Sequence, residues 1–170
     1  VAEFQCGETL SIESWSVCAL VALEIAKTKK NVTVITNSAF IADYIRKQGT
    51  LQIILLGGEY QQRSQVMVGP MTRRCMEPFY VDKLFIGTDG FTADSGFTGN
   101  DYMRSETVRD MAQQANHVIV VTESTKFSQK GLVHLIDTGH IHMVVSDDRI
   151  PEECEQYLTE QGVEVKKVKV

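Results

Sequence analysis

The sequence of 170 residues has little of what membrane proteins and zinc proteins need. Its longest stretches without a charged residue, Asn31–Ala42 and Met111–Thr122, are about twelve residues long, whereas a transmembrane helix needs about 20 apolar residues. We therefore expect no membrane span. The four cysteines are widely separated and form no Cys-x-x-Cys pair. This spacing predicts reduced, mostly structural thiols in a cytoplasmic protein, and it predicts no zinc site.

Positive charge is also scarce, because 17 basic residues face 22 acidic ones and the formal net charge is −5. The basic residues are scattered along the chain and are not interleaved with aromatic residues. An acidic domain without a basic patch is a poor binder of a polyanion, so we expect no DNA binding by this chain itself. The chain begins at Val1 rather than at methionine, and we expect it to be part of a longer protein.

Several sequence motifs of cofactor-binding and catalytic proteins do not occur. There is no G-x-G-x-x-G and no G-x-x-x-x-G-K-[ST], which disfavours NAD and ATP. There is also no G-x-S-x-G and no H-E-x-x-H. His140 and His142 could share one face of a strand, but two ligands alone do not make a metal site. We expect neither a cofactor nor a metal.

Apolar segments typical of buried strands alternate with helical patterns along the whole chain. The strands are predicted at Thr9–Glu13, Asn31–Thr36, Leu51–Leu56, Lys83–Gly87, His117–Thr122, His142–Ser146 and Val163–Val168. The helices are predicted at Ser16–Thr28, Ser38–Gln48 with Gly49 as its stop, Gly69–Pro78, Tyr102–Asn116 and Pro151–Gln161. This alternation predicts one α/β domain over residues 1–170, with a mostly parallel, doubly wound sheet.

The segment Thr88–Asp101 is the longest polar, glycine-rich stretch. It could be a linker. Its modest length and its two aromatic residues favour a functional or hairpin-like loop instead.

Small polar residues follow the first five predicted strands. In open α/β sheets, ligands bind beyond the carboxyl ends of the strands. Hydroxyls, glycines, carboxylates and a lysine are the groups that bind a polyhydroxylated anion. Each segment alone is more typical of an ordinary helix cap or turn, but five in succession favour a binding site. The five segments are Glu13–Ser16, Thr36–Ser38, Gly57–Glu59, Gly87–Gly90 and Glu123–Lys126.

Three long runs resemble the C-terminal sensor domain of the DeoR family of bacterial transcriptional regulators. They are Ile54–Pro70, Lys83–Met111 and Val118–Phe127, and the resemblance extends from Gly7 to about Val165. It implies a Rossmann-like fold shared with ribose-5-phosphate isomerases, glucosamine-6-phosphate deaminases and CoA transferases. It also implies a small-molecule effector, usually a phosphorylated sugar, and a winged helix-turn-helix DNA-binding domain upstream of this chain. We further expect a homo-oligomer.

Individual residues match the motifs of this family. Gly57-Gly58 match its glycine pair, Asp89-Gly90 its Asp-Gly, Glu106 the glutamate of its helix motif, Lys126 its Lys-Phe and Thr36-Asn37-Ser38 its Thr-Asn-(S/N). Together with the strand ends, these matches define a predicted effector site. Its residues are Ser14, Trp15, Ser16, Thr36, Asn37, Ser38, Gly57, Gly58, Asp89, Gly90, Glu106 and Lys126.

Two positions depart from the family pattern. Where the family usually has Asp-x-Gly-(S/T)-T, this chain has Glu13–Val17, so Trp15 replaces the glycine and one threonine is lost. An indole cannot adopt a positive φ without strain. Trp15 is either a core aromatic or lies at the mouth of the site, where it would narrow the site or stack on a sugar ring. Glu123 replaces the usual aspartate.

The sequence therefore favours the ligand-sensing domain of a repressor of sugar metabolism. A sugar-phosphate isomerase or deaminase on the same fold is the alternative. Asp89, Glu106 and Lys126 could serve such an enzyme, which needs a positioned acid–base pair. A domain that serves only oligomerisation is a third possibility.

Overall fold

The structure is a computed structural model that describes residues 7–169. The strands are β1 (Thr9–Ile12), β2 (Thr33–Thr36), β3 (Gln52–Leu55), β4 (Glu59–Gln61), β5 (Val66–Val68), β6 (Val81–Ile86), β7 (Gly90–Thr92), β8 (Gly96–Gly99), β9 (Ala115–Val121), β10 (Val133–Ile136), β11 (Met143–Asp147) and β12 (Glu164–Val168). The α-helices are α1 (Ser16–Thr28), α2 (Ala39–Ile45), α3 (Pro70–Met76), α4 (Tyr102–Ala112) and α5 (Glu152–Glu160). Two 3₁₀ helices span Ser124–Ser128 and Thr138–His140.

Seven strands form one parallel sheet in the order β12-β11-β9-β6-β1-β2-β3. The chain runs outward from β1 to β3, returns to β6 beside β1, and then runs outward on the other side. This is the strand order of a doubly wound, Rossmann-like sheet. All seven predicted strands lie in it, so the predicted fold class is confirmed.

Helices pack on both faces of the sheet, which explains the apolar residues of its central strands. Successive strand residues point to opposite faces. On β6, Phe85 packs with the residues around α1 and α2, while Leu84 and Ile86 pack on the other face with α3, α4 and α5. Ile25 of α1 and Val108 of α4 are completely buried in these two cores.

The remaining strands are antiparallel. β4 and β5 form a hairpin, and β7, β8 and β10 form a small sheet. β7 and β8 lie within Thr88–Asp101, so the hairpin-like interpretation of that segment is confirmed. β4, β5 and β10 are not predicted from the sequence. They are only three or four residues long, which is too short for a period-two pattern to be recognised.

Two helices end at least three residues earlier than predicted. α2 ends at Ile45 rather than Gln48, so Gly49 does not stop it. A Cβ at position 49 would lie 2.3 Å from the carbonyl oxygen of Ala26, and glycine is needed there for close packing against α1. α4 ends at Ala112, and the next residues of the predicted helix turn into β9 because the buried strand pairs with β6.

Within residues 7–169, no helix is both long enough and apolar enough to cross a membrane. The longest α-helix among these residues, α1, has 13 residues, fewer than a membrane span needs.

Candidate functional site

The carboxyl ends of β1 and β6 lie side by side, at the point where the chain turns outward in opposite directions. In open α/β sheets, ligands bind in the crevice at this topological switch point. Glu13 directly follows β1, and its backbone amide donates to the carbonyl oxygen of Phe85 at 3.0 Å. Gly87 directly follows β6. The two loops that follow these strands therefore meet at the crevice.

A buried ion pair occupies this crevice. Glu13 is completely buried, and Arg104 reaches it from the first turn of α4. The Arg104 Nε donates to Glu13 Oε1 at 2.7 Å, and Nη2 donates to Oε2 at 3.0 Å. Burial raises the pKa of Glu13, and Arg104 limits this rise. Burial opposes the charge of Arg104, but the neighbouring carboxylates hold its pKa above the ordinary value. Desolvated pairs of this kind are typical of functional sites.

The indole of Trp15 packs against both sides of the switch point. The Cζ atom of Arg104 lies 3.9 Å from the centroid of the ring, which is cation–π geometry. A Cβ at Gly87 would lie only 2.2 Å from Trp15 Cγ, so the ring needs a glycine there. The φ of Trp15 is −79°, and the backbone strain expected from the sequence does not occur. Because Arg104 covers one face of the ring, the geometry favours an indole that narrows the site.

Asp89 approaches the ion pair from the loop after β6. Its negative charge contributes to the raised pKa of both Glu13 and Arg104. The Oδ2 atom of Asp89 accepts the backbone amide of Asn100 at 2.8 Å, which fixes the carboxylate to the end of the β7–β8 hairpin. The structure thus brings Trp15 and Asp89, two of the predicted site residues, to the switch point.

Lys126 lies in the 3₁₀ helix Ser124–Ser128, where it is half-buried. Asp147, at the end of β11, holds this helix because its Oδ2 accepts the Ser124 amide at 2.7 Å. The same 3₁₀ helix packs beside β7. A Cβ at Gly90 would lie 2.4 Å from the carbonyl oxygen of Gln129, so glycine allows this close approach. Asp89 and Lys126 are therefore on neighbouring segments, and their joint contact with a ligand stays a prediction.

The segment Thr36-Asn37-Ser38 uses most of its polar groups within the protein. Thr36 Oγ1 donates to the carbonyl oxygen of Ile12 at 2.6 Å, and Asn37 Nδ2 donates to that of Met67 at 3.0 Å. Ser38 Oγ caps α2 by accepting a backbone amide. All three residues are completely buried. Their structural role is clear, and ligand contact by them stays a prediction.

The serines and glycines of the predicted site have mixed environments. Ser14 Oγ donates to the carbonyl oxygen of Ser64 at 3.3 Å, and Ser16 is exposed at the start of α1. Gly57 is exposed. Gly58 has a φ of +153°, and a Cβ there would lie 1.9 Å from Thr72 Oγ1. Packing against α3 is therefore sufficient reason for the second glycine.

Glu106 and Asp89 have different electrostatic partners. Glu106 acts on Asp110 on the same helix, and it contributes to the raised pKa of that carboxyl after burial and with opposition from Arg73. Asp89 acts on Glu13 and Arg104 instead. An acid–base pair of Asp89 and Glu106 stays a prediction of the enzymatic alternative.

Arg104 is not among the predicted site residues. One signal in the sequence could have identified it. Asp101 is a helix N-cap, and Arg104 follows it in the first turn of α4, where a positive charge is unfavourable to the helix dipole. An arginine at this unfavourable position indicates that its side chain interacts with a group outside the helix.

The histidines form contacts away from the crevice. His117 and His142 pack with ring centroids 4.9 Å apart, and His134 and His140 flank Asp137. Among residues 7–169, no group of three or more His, Cys, Asp and Glu side chains could hold a metal ion. Three of the four cysteines are free thiols in the structure, and Cys6 lies outside the described residues.

Three cavities of about 810, 420 and 350 Å³ are lined by residues other than the predicted effector site. The largest lies over β6, β9, β11 and β12, with Phe85, Ile119 and Met143 among its walls. At the switch point, the Trp15 ring and the Arg104 guanidinium pack together beside the carboxyl ends of β1 and β6.

Comparison with known proteins gives a family match over most of the chain. The sequence model of the DeoR C terminal sensor domain matches residues 1–148.

Individual relatives are transcriptional regulators. A protein of Escherichia coli O157:H7 named as an aga operon transcriptional repressor is 29% identical over 84% of this chain and 54% of its own length. The glycerol-3-phosphate regulon repressor of Escherichia coli K12 is 25% identical over 94% of this chain and 63% of its own length. The regulator IolR of Bacillus subtilis is 23% identical over 83% of this chain and 56% of its own length. The chain thus spans little more than half the length of these relatives.

Among solved structures, a ribose 5-phosphate isomerase from Plasmodium falciparum aligns with a TM-score of 0.49 and 16% identity. The alignment covers 75% of this chain and 48% of that one.

Proposed function

Because the chain belongs to the family of DeoR C-terminal sensor domains, we propose that it binds a small phosphorylated sugar or a related anion. The effector binds at the carboxyl edge of the sheet, and binding is relayed to a DNA-binding domain upstream in the full-length protein. The family and the relatives named above are regulators of transcription rather than enzymes. Residues 1–170 then constitute one sensor domain of a cytoplasmic repressor of sugar metabolism.

The observation that carries this proposal is the arrangement of Glu13, Trp15, Asp89 and Arg104 at the switch point. Polar and aromatic groups converge where an α/β sheet binds ligands. A buried charged pair is expensive to maintain for stability alone, because its desolvation offsets much of its attraction. The arrangement is therefore better explained by ligand binding than by folding.

A thermal-shift screen against pentose, hexose and triose phosphates, each beside its unphosphorylated parent, tests the proposal. A ligand at 100 times its Kd stabilises the folded state by about 2.7 kcal/mol, which raises the Tm by several degrees. We expect at least one phosphate to do so, and calorimetry to confirm one site per chain. Recovery of the ligand unchanged after incubation separates sensing from catalysis. A panel without any binder contradicts the proposal.

Self-association is the second part of the proposal. α2 exposes Phe40 and Tyr44, whose rings stack with centroids 5.5 Å apart, and α1 exposes Leu20. These exposed apolar side chains on neighbouring helices form the surface that a partner copy would cover. Sedimentation of the protein and of the variant Phe40→Ser tests this. A chain that is monomeric at all concentrations contradicts self-association.

A further inference from the structure

The charge balance of the switch point identifies which part of an effector can bind there. The inference rests on the proposed function, since it concerns the same crevice. Glu13 engages one edge of the Arg104 guanidinium, and the Trp15 ring covers one of its faces. The Arg104 side chain is 16% exposed. Its remaining N–H groups make no hydrogen bond to any residue from 7 to 169, so they are available to a ligand.

Carboxylates outnumber cations around this guanidinium. Glu13 already compensates the charge of Arg104, and Asp89 acts on both of them. Asp101 caps the first turn of α4, where its Oδ1 accepts the Arg104 amide at 2.8 Å. Among residues 7–169, Arg104 is the only cation in an ion pair with Glu13, and no lysine or arginine pairs with Asp89 or Asp101. The surroundings of Arg104 therefore carry a net negative charge, even when the arginine itself is counted.

Such a surface suits hydroxyl groups better than phosphate. A hydroxyl both donates and accepts, so it can bind the free N–H groups of Arg104 and the carboxylate of Asp89 together. A phosphate group only accepts at its charged oxygens, and it would meet carboxylates around an arginine that is already paired.

We propose that the switch-point half of the crevice recognises sugar hydroxyls and excludes phosphate, with Glu13 as the residue that sets this selectivity. The phosphate of an effector then points away from Arg104, along the carboxyl edge of the sheet towards Lys126 in the 3₁₀ helix Ser124–Ser128. The replacement of a family glycine by Trp15 is consistent with this division, because the indole takes the place of a hydroxyl-rich loop.

Inorganic phosphate and Trp15 fluorescence test this selectivity directly. Trp15 is the only tryptophan, and it touches Arg104, so an anion bound to that guanidinium alters its emission. Phosphate is titrated at constant ionic strength and neutral pH into the wild type and into Glu13→Gln. Glutamine keeps the size of the side chain and removes its charge. We expect no saturable response in the wild type, and an apparent affinity at least about tenfold higher in Glu13→Gln.

Two further variants keep the test decisive. Asp89→Asn removes a charge from a half-buried site, and it replaces Glu13→Gln if that variant does not fold. The double variant Glu13→Gln/Arg104→Lys locates the bound phosphate. If phosphate binds at Arg104, this variant loses the fluorescence response that Glu13→Gln gains.

Two results overturn the proposal. One is a saturable wild-type response to phosphate that Arg104→Lys abolishes. The other is the lack of any gain in both folded charge-removal variants. Because phosphate alone is the probe, a failure here is distinguishable from a failure to find any sugar phosphate that binds.

Discussion

Two arginine–carboxylate pairs stand at the ends of parallel strands, and they have opposite physical character. Glu13 after β1 is completely buried against Arg104, which is itself largely buried, and the pKa of Glu13 is raised by burial. Asp147 at the end of β11 pairs with Arg149, whose side chain is 74% exposed. The pKa of Asp147 lies well below its ordinary value, chiefly because the backbone amide of Ser124 donates to it.

The difference separates a structural carboxylate from a site carboxylate. The Asp147 carboxylate accepts hydrogen bonds from the backbone amides of Ser124 and Arg149, and no side-chain substitution removes these donors. Glu13 depends on one side chain that is 91 residues away in the chain. We infer that Asp147 fixes the 3₁₀ helix that contains Lys126, whereas Glu13 and Arg104 belong to the ligand site.

The largest expected effect follows from removing the buried arginine. Arg104→Met leaves Glu13 buried without a partner, and we expect a loss of about 3–5 kcal/mol in the free energy of unfolding at neutral pH. Because burial raises the folded-state pKa of Glu13, the folded variant takes up a proton more readily than the unfolded chain. The loss should therefore shrink as the pH is lowered. Urea denaturation at several pH values measures it.

Arg149→Met is the matched control, because it removes an arginine from the other carboxylate. The exposed Arg149 should contribute less than about 1 kcal/mol. Equal losses from the two substitutions would contradict the distinction between the pairs.

A smaller loss is expected from Asp147→Asn. Hydrogen bonds to a charged group are worth about 1.5–3 kcal/mol, and the amide side chain keeps only one acceptor oxygen. The folded pKa of Asp147 is depressed, so its contribution is present above its unfolded pKa of about 3.9 and is lost as the pH falls through the folded value. The wild type and the variant should therefore converge in stability only in strong acid. A difference that vanishes already near pH 6 would contradict this role.

Gly87→Ala tests the packing of the indole. The new methyl group would overlap with Trp15, and overpacking of this kind costs about 1–3 kcal/mol. We expect a lower Tm together with a shift of the tryptophan emission as the ring is displaced. Gly139→Ala is the control, since a Cβ there meets nothing within 4 Å. If Gly87→Ala matched the wild type in both measurements, Trp15 would not occupy the switch point.

The smallest effect on stability is expected from Lys126→Ala. Lys126 is half-buried, and its ammonium makes no described contact, so the free energy of unfolding should change by less than about 0.5 kcal/mol. The affinity for a phosphorylated effector should nevertheless fall about tenfold or more. Calorimetry with a ligand from the screen measures it. An unchanged affinity would remove Lys126 from the site.

The parallel sheet could be predicted from the sequence because its inner strands are rich in apolar residues that are buried on both faces, whereas the edge strands β3 and β12 are partly exposed. Trp15 and Asp89 could be placed at the ends of β1 and β6 for the same reason. Arg104 could not, because its partner Glu13 is distant in sequence and only the tertiary fold joins them. Likewise, Asn37 and Ser38 contact strand β5 of the β4–β5 hairpin, whose short strands leave no periodic signal.

Trp15 fluorescence provides the most direct test that an effector binds at the switch point. Trp15 is the only tryptophan, so its emission reports this position alone. A sugar phosphate found in the screen should change the emission with saturation, at the same Kd that calorimetry gives. Independently verified binding that leaves the emission unchanged would place the effector elsewhere on the molecule and contradict the account.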